Sequence, residues 1–178
     1  MTEPQKLREE GILCFREGRY DEAAQCFIEG HELYAAEGDR QRAAEMLNDL
    51  GVVYHRQRRW SEAKGAFAEA QEIFIDTKNQ SSEAQVLANL GDLHSTQGQA
   101  EEAAACFQKA IAIFRKLGDT QKESATLRAL ARVRLHQRRW LEAVAAYEAG
   151  LACLEHLSWG QHLLRWLFQI LLRLLGRR

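Results

Sequence analysis

Residues 47–74 read LNDLGVVYHRQRRWSEAKGAFAEAQEIF. Two helical runs meet at Arg58-Arg59, and small residues sit where the runs must cross. Gly51 and Ala63 let two antiparallel helices approach closely, and Phe67 fills the space between that pair and the next helix. Trp60, just after the turn, closes the apolar seam. A single pair of this kind cannot bury its apolar face, so it requires neighbours to stack on.

The neighbours are present in the sequence. Leucine recurs at Leu7, Leu47, Leu87, Leu127 and Leu167, a constant step of one repeat length, and other positions recur in the same register. Gly11, Gly51, Gly91 and Ala131 are equivalent, as are Ala23, Ala63, Ala103 and Ala143. So are Phe27, Phe67, Phe107 and Tyr147, and Gly30, Ala70, Ala110 and Gly150. Glu22, Glu62, Glu102 and Glu142 precede the alanines. Self-similarity at a fixed period marks a stacked solenoid. Tyr20, Trp60 and Trp140 follow their turns, whereas the third unit has Ala100 and is expected to pack more loosely there.

Turn residues fall between the runs. Gly18 and Gly98 separate the helices of units one and three, and Arg138-Arg139 does so in unit four. Gly38-Asp39, Lys78-Asn79, Gly118-Asp119 and Ser158-Trp159-Gly160 separate the units. Glycine or asparagine there supplies a left-handed residue, and Asp39 or Asp119 can cap the helix that follows. The helices expected are 5–17 and 20–36, 41–57 and 60–76, 81–97 and 100–116, 121–137 and 140–156, then 161–175.

Composition agrees. The chain has 178 residues, 46% hydrophobic and 28% charged, with a single proline. Strong helix formers dominate and no stretch alternates β-branched with polar residues, which gives an all-α class. The net charge of −1 offers no field to recruit nucleic acid. From His156 onward Arg165, Arg173, Arg177 and Arg178 face no acid, so a basic tail follows a mildly acidic body. The four cysteines show no metal-ligand spacing, and the polar start MTEPQKLREE has no signal-peptide core. Reduced thiols, no metal and a cytoplasmic location are expected.

The LG pair, tyrosine, alanines and phenylalanine of 47–74 resemble a tetratricopeptide repeat (TPR) unit, and the likeness recurs four times over residues 5–157. The repeat length, the GD linker and the missing closing proline resemble the TPRs of response-regulator phosphatases, spindle-orientation adaptors and rapsyn. The resemblance implies a right-handed superhelical solenoid of four helix-turn-helix TPR units (5–40, 41–80, 81–120 and 121–160). Residues 161–178 then form an apolar, arginine-containing C-terminal capping helix. The resemblance also implies a concave groove, lined by the first helix of each unit, that binds a peptide or helix of a partner protein.

The groove residues so implied are Arg8, Asn48, Asp49, His55, Asn89, Asp92, Arg128 and Arg132. Asn48 and Asn89 are the sharpest candidates, because an amide can pair with both the N–H and the C=O of an extended peptide. Arg8, Arg128 and Arg132 can pair with acidic side chains of a ligand, and an ordinary solvated face is the competing reading. The carboxylate clamp that grips chaperone tails fails in both registers. One reads Arg8, Ile12, Asp49, Gln85, Asn89, with an acid where an amide belongs; the other reads Asn48, Val52, Asn89, Ala125, Ala129, without a cation.

The last helix carries more apolar surface than a cap requires. Leu167, Ile170, Leu171 and Leu174 supply the capping stripe, and Leu163, Trp166, Phe168, Leu172 and Leu175 remain. Arg165, Gln169 and Arg173 leave one narrow polar line. The surplus points to self-association through 161–175, to protein docking, or to a peripheral membrane contact. A transmembrane span is disfavoured, because Leu163 to Leu175 makes about 20 Å of helix against a core of about 30 Å. No phosphate loop, HExxH motif or nucleophile arrangement is present. Cys14 sits on the packing face, and the expectation is a non-catalytic adaptor without a cofactor.

Overall fold

The computed structural model describes residues 2–154 and 159–175, without the side chains of residues 161 and 171–175. All elements among them are α-helices. They are α1 (Glu3–Arg16), α2 (Tyr20–Ala36), α3 (Arg40–Arg56), α4 (Trp60–Asp76), α5 (Gln80–Thr96), α6 (Ala100–Leu117), α7 (Thr120–His136), α8 (Trp140–Ala152) and α9 (Trp159–Leu175). Helix pairs recur with the period of the sequence. The first helix begins at Glu3, two residues earlier than expected, and α8 ends at Ala152 rather than 156.

One local device builds each of the seven links from α1 to α8. A left-handed residue ends the preceding helix: Gly18, Gly38, Arg58, Lys78, Gly98, Gly118 and Arg138, with φ between 56 and 78°. The N–H of the next residue then reaches back five positions to a carbonyl. Examples are Arg19 to Cys14, Arg59 to Tyr54 and Arg139 to Arg134, each at 2.9 Å. This satisfies carbonyls that the helix end would leave open. In the second unit the left-handed residue is Lys78, not the asparagine. Asn79 instead caps α5 by accepting from the N–H of Ser82 at 3.1 Å. Asp39 and Asp119 cap α3 and α7 in the same way, each at 3.0 Å. Gly160 lies within α9 and ends no helix, while Ser158 falls outside the described residues.

The second helices start differently. Arg19, Arg59 and Arg139 at their N-caps offer no side-chain cap. They pair instead with Glu22, Glu62 and Glu142 three residues on. The recurring glutamate is therefore a helix-start partner that also faces the positive end of the helix dipole.

The helices form two compact units that divide within α5, after Leu93. In the first, α1 packs on α2, α2 on α3 and α3 on α4. Its core contains Cys14, Phe27, Tyr34, Met46, Leu50 and Val53, all buried. Gly11 and Gly51 allow that packing, since a Cβ there would lie 2.8 and 2.6 Å from the rings of Phe27 and Phe67. Tyr20 and Trp60 lie against Phe15 and His55, with ring centroids 5.6 Å apart in both pairs.

In the second unit α6 packs on α7, α7 on α8 and α8 on α9. The core holds Phe107, Ile111, Leu127, Leu130 and Val133, and Ala100 packs against it from the rim. The Ser124 hydroxyl donates to the Gly150 carbonyl at 2.7 Å. Buried Arg134 bonds Gln137 at 2.8 Å and lies 3.4 Å from Glu142, tying α7 to the start of α8. Trp140, expected to close its seam as Trp60 does, is exposed.

The rotational setting of α9 differs from expectation. Its polar line faces the body: Arg165 and Gln169 both donate to Glu148 of α8, at 3.1 and 3.0 Å. Phe168, assigned to the outer association face, meets Tyr147 edge-on at 5.7 Å. Leu167, assigned to the capping stripe, is exposed together with Leu163 and Trp166. The capping residue Ile170 is half-buried. The side chains of Leu171, Leu172, Leu174 and Leu175 lie outside the described residues. The contacts that accompany this setting are the hydrogen bonds to Glu148 and the edge-on ring contact of Phe168 with Tyr147.

Candidate functional site

Within the first unit, the first helices α1, α3 and α5 carry a continuous line of polar side chains. Arg8 donates through Nη1 to Glu45 at 2.8 Å and through Nε to Asp49 at 3.1 Å. Asn48 donates to Asp49 at 3.4 Å, Asn89 donates to Asn48 at 2.8 Å, and Gln85 donates to Asn89 at 3.5 Å. Three successive helices are thus joined by one ladder. Burial pushes the Asp49 carboxyl above its ordinary range, against the pull of the Arg8 guanidinium. Burial opposes the charge of Arg8 in turn, and Asp49 and Glu45 more than offset it.

The ladder has a simple geometric origin. Arg8 to Asp49 and Asn48 to Asn89 both span 41 residues, one period plus one. That offset marks which side chains meet across adjacent first helices. The period alone does not supply the extra one-residue shift, which is why the pairing of Arg8 with acids inside the chain was not legible in the sequence. A second offset of 36 joins turns to neighbouring helices, as in Gln57 with Asp21 and Gln137 with Glu101.

Two clefts, one apolar and one largely polar, flank the ladder. One of about 220 Å³ is lined by Ile12, Phe15, Arg16, Phe27, Asp49 and Val52. Another of about 460 Å³ holds Gln5, Arg8, Glu9, Ile12, Tyr34, Arg42 and Glu45. Tyr34 and Arg42 were not among the sequence candidates, and they belong together because the guanidinium lies 5.7 Å from the ring centroid. Phe74 and Ser82, one repeat on, carry no such pair, but Phe114 and Lys122, two repeats on, do, with the ammonium 5.6 Å from the ring centroid, so the register did hold a signal for them.

His55 stacks against Trp60, and burial keeps its imidazole below the usual histidine range, with Arg56 adding to that effect and Asp92 opposing it. In the second unit Arg128 and Arg132 are exposed one turn apart on α7. Among the described residues no group of three or more histidine, cysteine, aspartate or glutamate side chains is placed to hold a metal ion. All four cysteines are free, and burial pushes the Cys26, Cys106 and Cys153 thiols up.

Stacked helix pairs with this link geometry match one family. The tetratricopeptide-repeat profile covers residues 4–76 and 82–156. The chain is a tetratricopeptide repeat protein. Solved structures agree on the fold. The repeats of a candidate kinesin light chain from Podosopora anserina superpose with a TM-score of 0.72 at 20% identity, covering 100% of this chain and 90% of that one. BtubC (BKLC) from P. vanneervenii gives a TM-score of 0.68 at 22% identity over 93% of this chain and 64% of its own. A signal transduction ATPase with a tetratricopeptide repeat sensor from Pyrococcus horikoshii gives 0.79 at 18% identity over 96% and 27%. The chain thus spans less than two thirds of the length of the last two. No curated protein sequence matches it.

TPR folds generally mediate protein–protein interaction and are typically non-catalytic scaffolds. No helix among the described residues is long and apolar enough to cross a membrane.

Proposed function

We propose that this TPR protein is a non-catalytic cytoplasmic adaptor that holds an extended segment or helix of a partner protein on its first helices. The observation that carries the reading is the ladder from Arg8 through Asp49 and Asn48 to Asn89, beside the cleft of Ile12, Phe15 and Val52. An amide has two donor hydrogens and two acceptor lone pairs, and the ladder uses only part of each. Asn48 and Asn89 therefore retain capacity for a peptide backbone while their mutual bond fixes their orientation. Holding them before the ligand arrives lowers the ordering cost of binding.

The charges set a preference. Arg8 is neutralised by Glu45 and Asp49, so it orients the ladder and is not the main attractor of a ligand acid. Arg16, at the rim of the cleft of Ile12, Phe15 and Val52, is the cation placed to select an acidic position of the ligand. Four free thiols fit a reducing compartment.

Selection of binders from a displayed random-peptide library, followed by titration against variants, tests the proposal. Peptides selected on the wild type should lose roughly tenfold or more in affinity against Asn48→Ala/Asn89→Ala, the cost of one or two buried hydrogen bonds. Arg16→Ala should weaken those that carry an acid. Affinities unchanged in the joint variant would overturn the assignment of these helices as the binding face.

A further inference from the structure

The second unit carries a surface that the peptide-binding reading does not use. On α9, Trp159 is 81% exposed, Leu163 44%, Trp166 56% and Leu167 48%. Steps of four, three and one place these side chains on a single stripe of the helix. We infer that α9 is an in-plane anchor for an anionic lipid surface.

The orientation comes from the body of the protein. Glu148 takes the polar line of α9 through Arg165 and Gln169, and Tyr147 takes the ring of Phe168. An isolated amphipathic helix is free to turn any face toward water. Here the polar face is engaged, so the face presented outward is the apolar one. The helix spans 17 residues, about 25 Å at 1.5 Å per residue, which suits a helix lying along the interface rather than crossing it. Two tryptophans on the outward stripe favour the depth of the headgroups, where an amphipathic ring has one wet and one dry edge.

Charge decides between a lipid surface and a second copy of the chain. From residue 156 onward the sequence has four arginines and no acid. Glu148 balances Arg165, which leaves Arg173, Arg177 and Arg178 without an acidic residue in their own segment. Two copies meeting through α9 would bring these like charges of the sequence together. Anionic headgroups supply the missing counter-charge.

Flotation of the full chain with vesicles of mixed phosphatidylcholine and phosphatidylglycerol, against pure phosphatidylcholine, tests the inference. The wild type should float with the anionic vesicles only, and less so as salt rises, because the Debye length shrinks to about 10 Å at 0.1 M. Leu163→Glu/Trp166→Glu should reduce flotation roughly tenfold or more, since two apolar contacts are replaced by charges that anionic lipid repels. Both positions are exposed, so far-UV circular dichroism should not change. Arg177→Glu/Arg178→Glu should weaken binding as well. Independently of any variant, lipids brominated in the acyl chain should quench wild-type tryptophan emission. A wild type that ignores anionic vesicles and shows no quenching overturns the assignment. A dimer in light scattering that Leu163→Glu/Trp166→Glu dissociates, without vesicle binding, would assign the stripe to a second copy instead.

Discussion

Gly51→Ala and Gly65→Ala make the same chemical change in adjacent helices and should have opposite effects. Both glycines lie inside helices, where alanine gains about 1 kcal/mol from backbone propensity alone. At Gly65 a Cβ meets nothing within 4 Å, so the gain stands and the variant should be more stable by about 0.5–1 kcal/mol. At Gly51 the new Cβ would lie 2.6 Å from Cε1, 2.7 Å from Cδ1 and 3.0 Å from Cζ of Phe67. That ring is fully buried and has no room to swing. Overpacking costs about 1–3 kcal/mol, and three contacts inside van der Waals distance place this site at the upper end. The net loss should be about 2 kcal/mol after the propensity gain. Unit four illustrates the geometry: alanine stands at the equivalent position 131, and its ring, Tyr147, is only half-buried and turned toward Phe168. Thermal unfolding of the two single variants reads the difference. Phe67→Leu removes the ring atoms Cε1 and Cζ, so combined with Gly51→Ala it should cost less than the sum of the two. A Gly51→Ala protein as stable as the wild type would refute the claim that glycine is required for helix approach.

Three further outcomes follow from named contacts. Arg58, Lys78 and Arg138 hold left-handed backbone, so glycine at each should stabilise by about 0.5–1 kcal/mol in denaturant unfolding, and additively, because the sites are far apart. Asp119→Ala should cost about 1 kcal/mol at neutral pH through loss of the α7 cap. The Lys122 backbone N–H holds the Asp119 carboxyl below its usual range, so its contribution is present above the unfolded carboxylate pKa and is lost as pH falls through the lower folded value. The penalty of the variant should therefore shrink in acid, and a penalty independent of pH would contradict the capping role. Val53 and Leu13 share one register position, buried in one case and exposed in the other. Val53→Ala should cost about 2 kcal/mol, whereas Leu13→Ala should stay within about 0.5 kcal/mol in the same unfolding assay.

The fold was legible because it is written several times. A glycine whose neighbour is a phenylalanine sixteen residues on says little once, but the recurrence of Gly11 with Phe27 as Gly51 with Phe67 identifies a crossing point. Links were legible by the same route: Gly18, Gly38, Gly98 and Gly118 place the left-handed residue, and Arg58, Lys78 and Arg138 hold it in register despite their side chains. Lys78 was missed because asparagine favours that conformation more, and the reading followed the residue type rather than the register. The ladder on the first helices was half legible. Its members were picked out one by one as groove residues, yet Arg8 was read as a ligand-facing cation. The pairing of Arg8 with Glu45 and Asp49 depends on how adjacent first helices are offset, which the hydrophobic pattern alone does not encode.

The helix α9 shows where periodicity stops being informative. Inside the solenoid the register of a leucine predicts its burial, since Leu47 and Leu127 are each covered by packing within their own unit. Leu167 shares that register, but no second helix among the described residues follows α9 to cover it. Helix α1 carries Lys6, Glu10 and exposed Leu13 at the positions of Met46, Leu50 and Val53 in α3, so the same register is largely polar there. Repeat register alone therefore does not specify burial, and the contacts that orient α9 among the described residues include those with Glu148 and Tyr147. On α9 the polar line is engaged by Glu148 while Trp159, Leu163, Trp166 and Leu167 stay exposed, and that division of one helix into a docked polar line and an outward apolar stripe is the reason for assigning it a lipid partner.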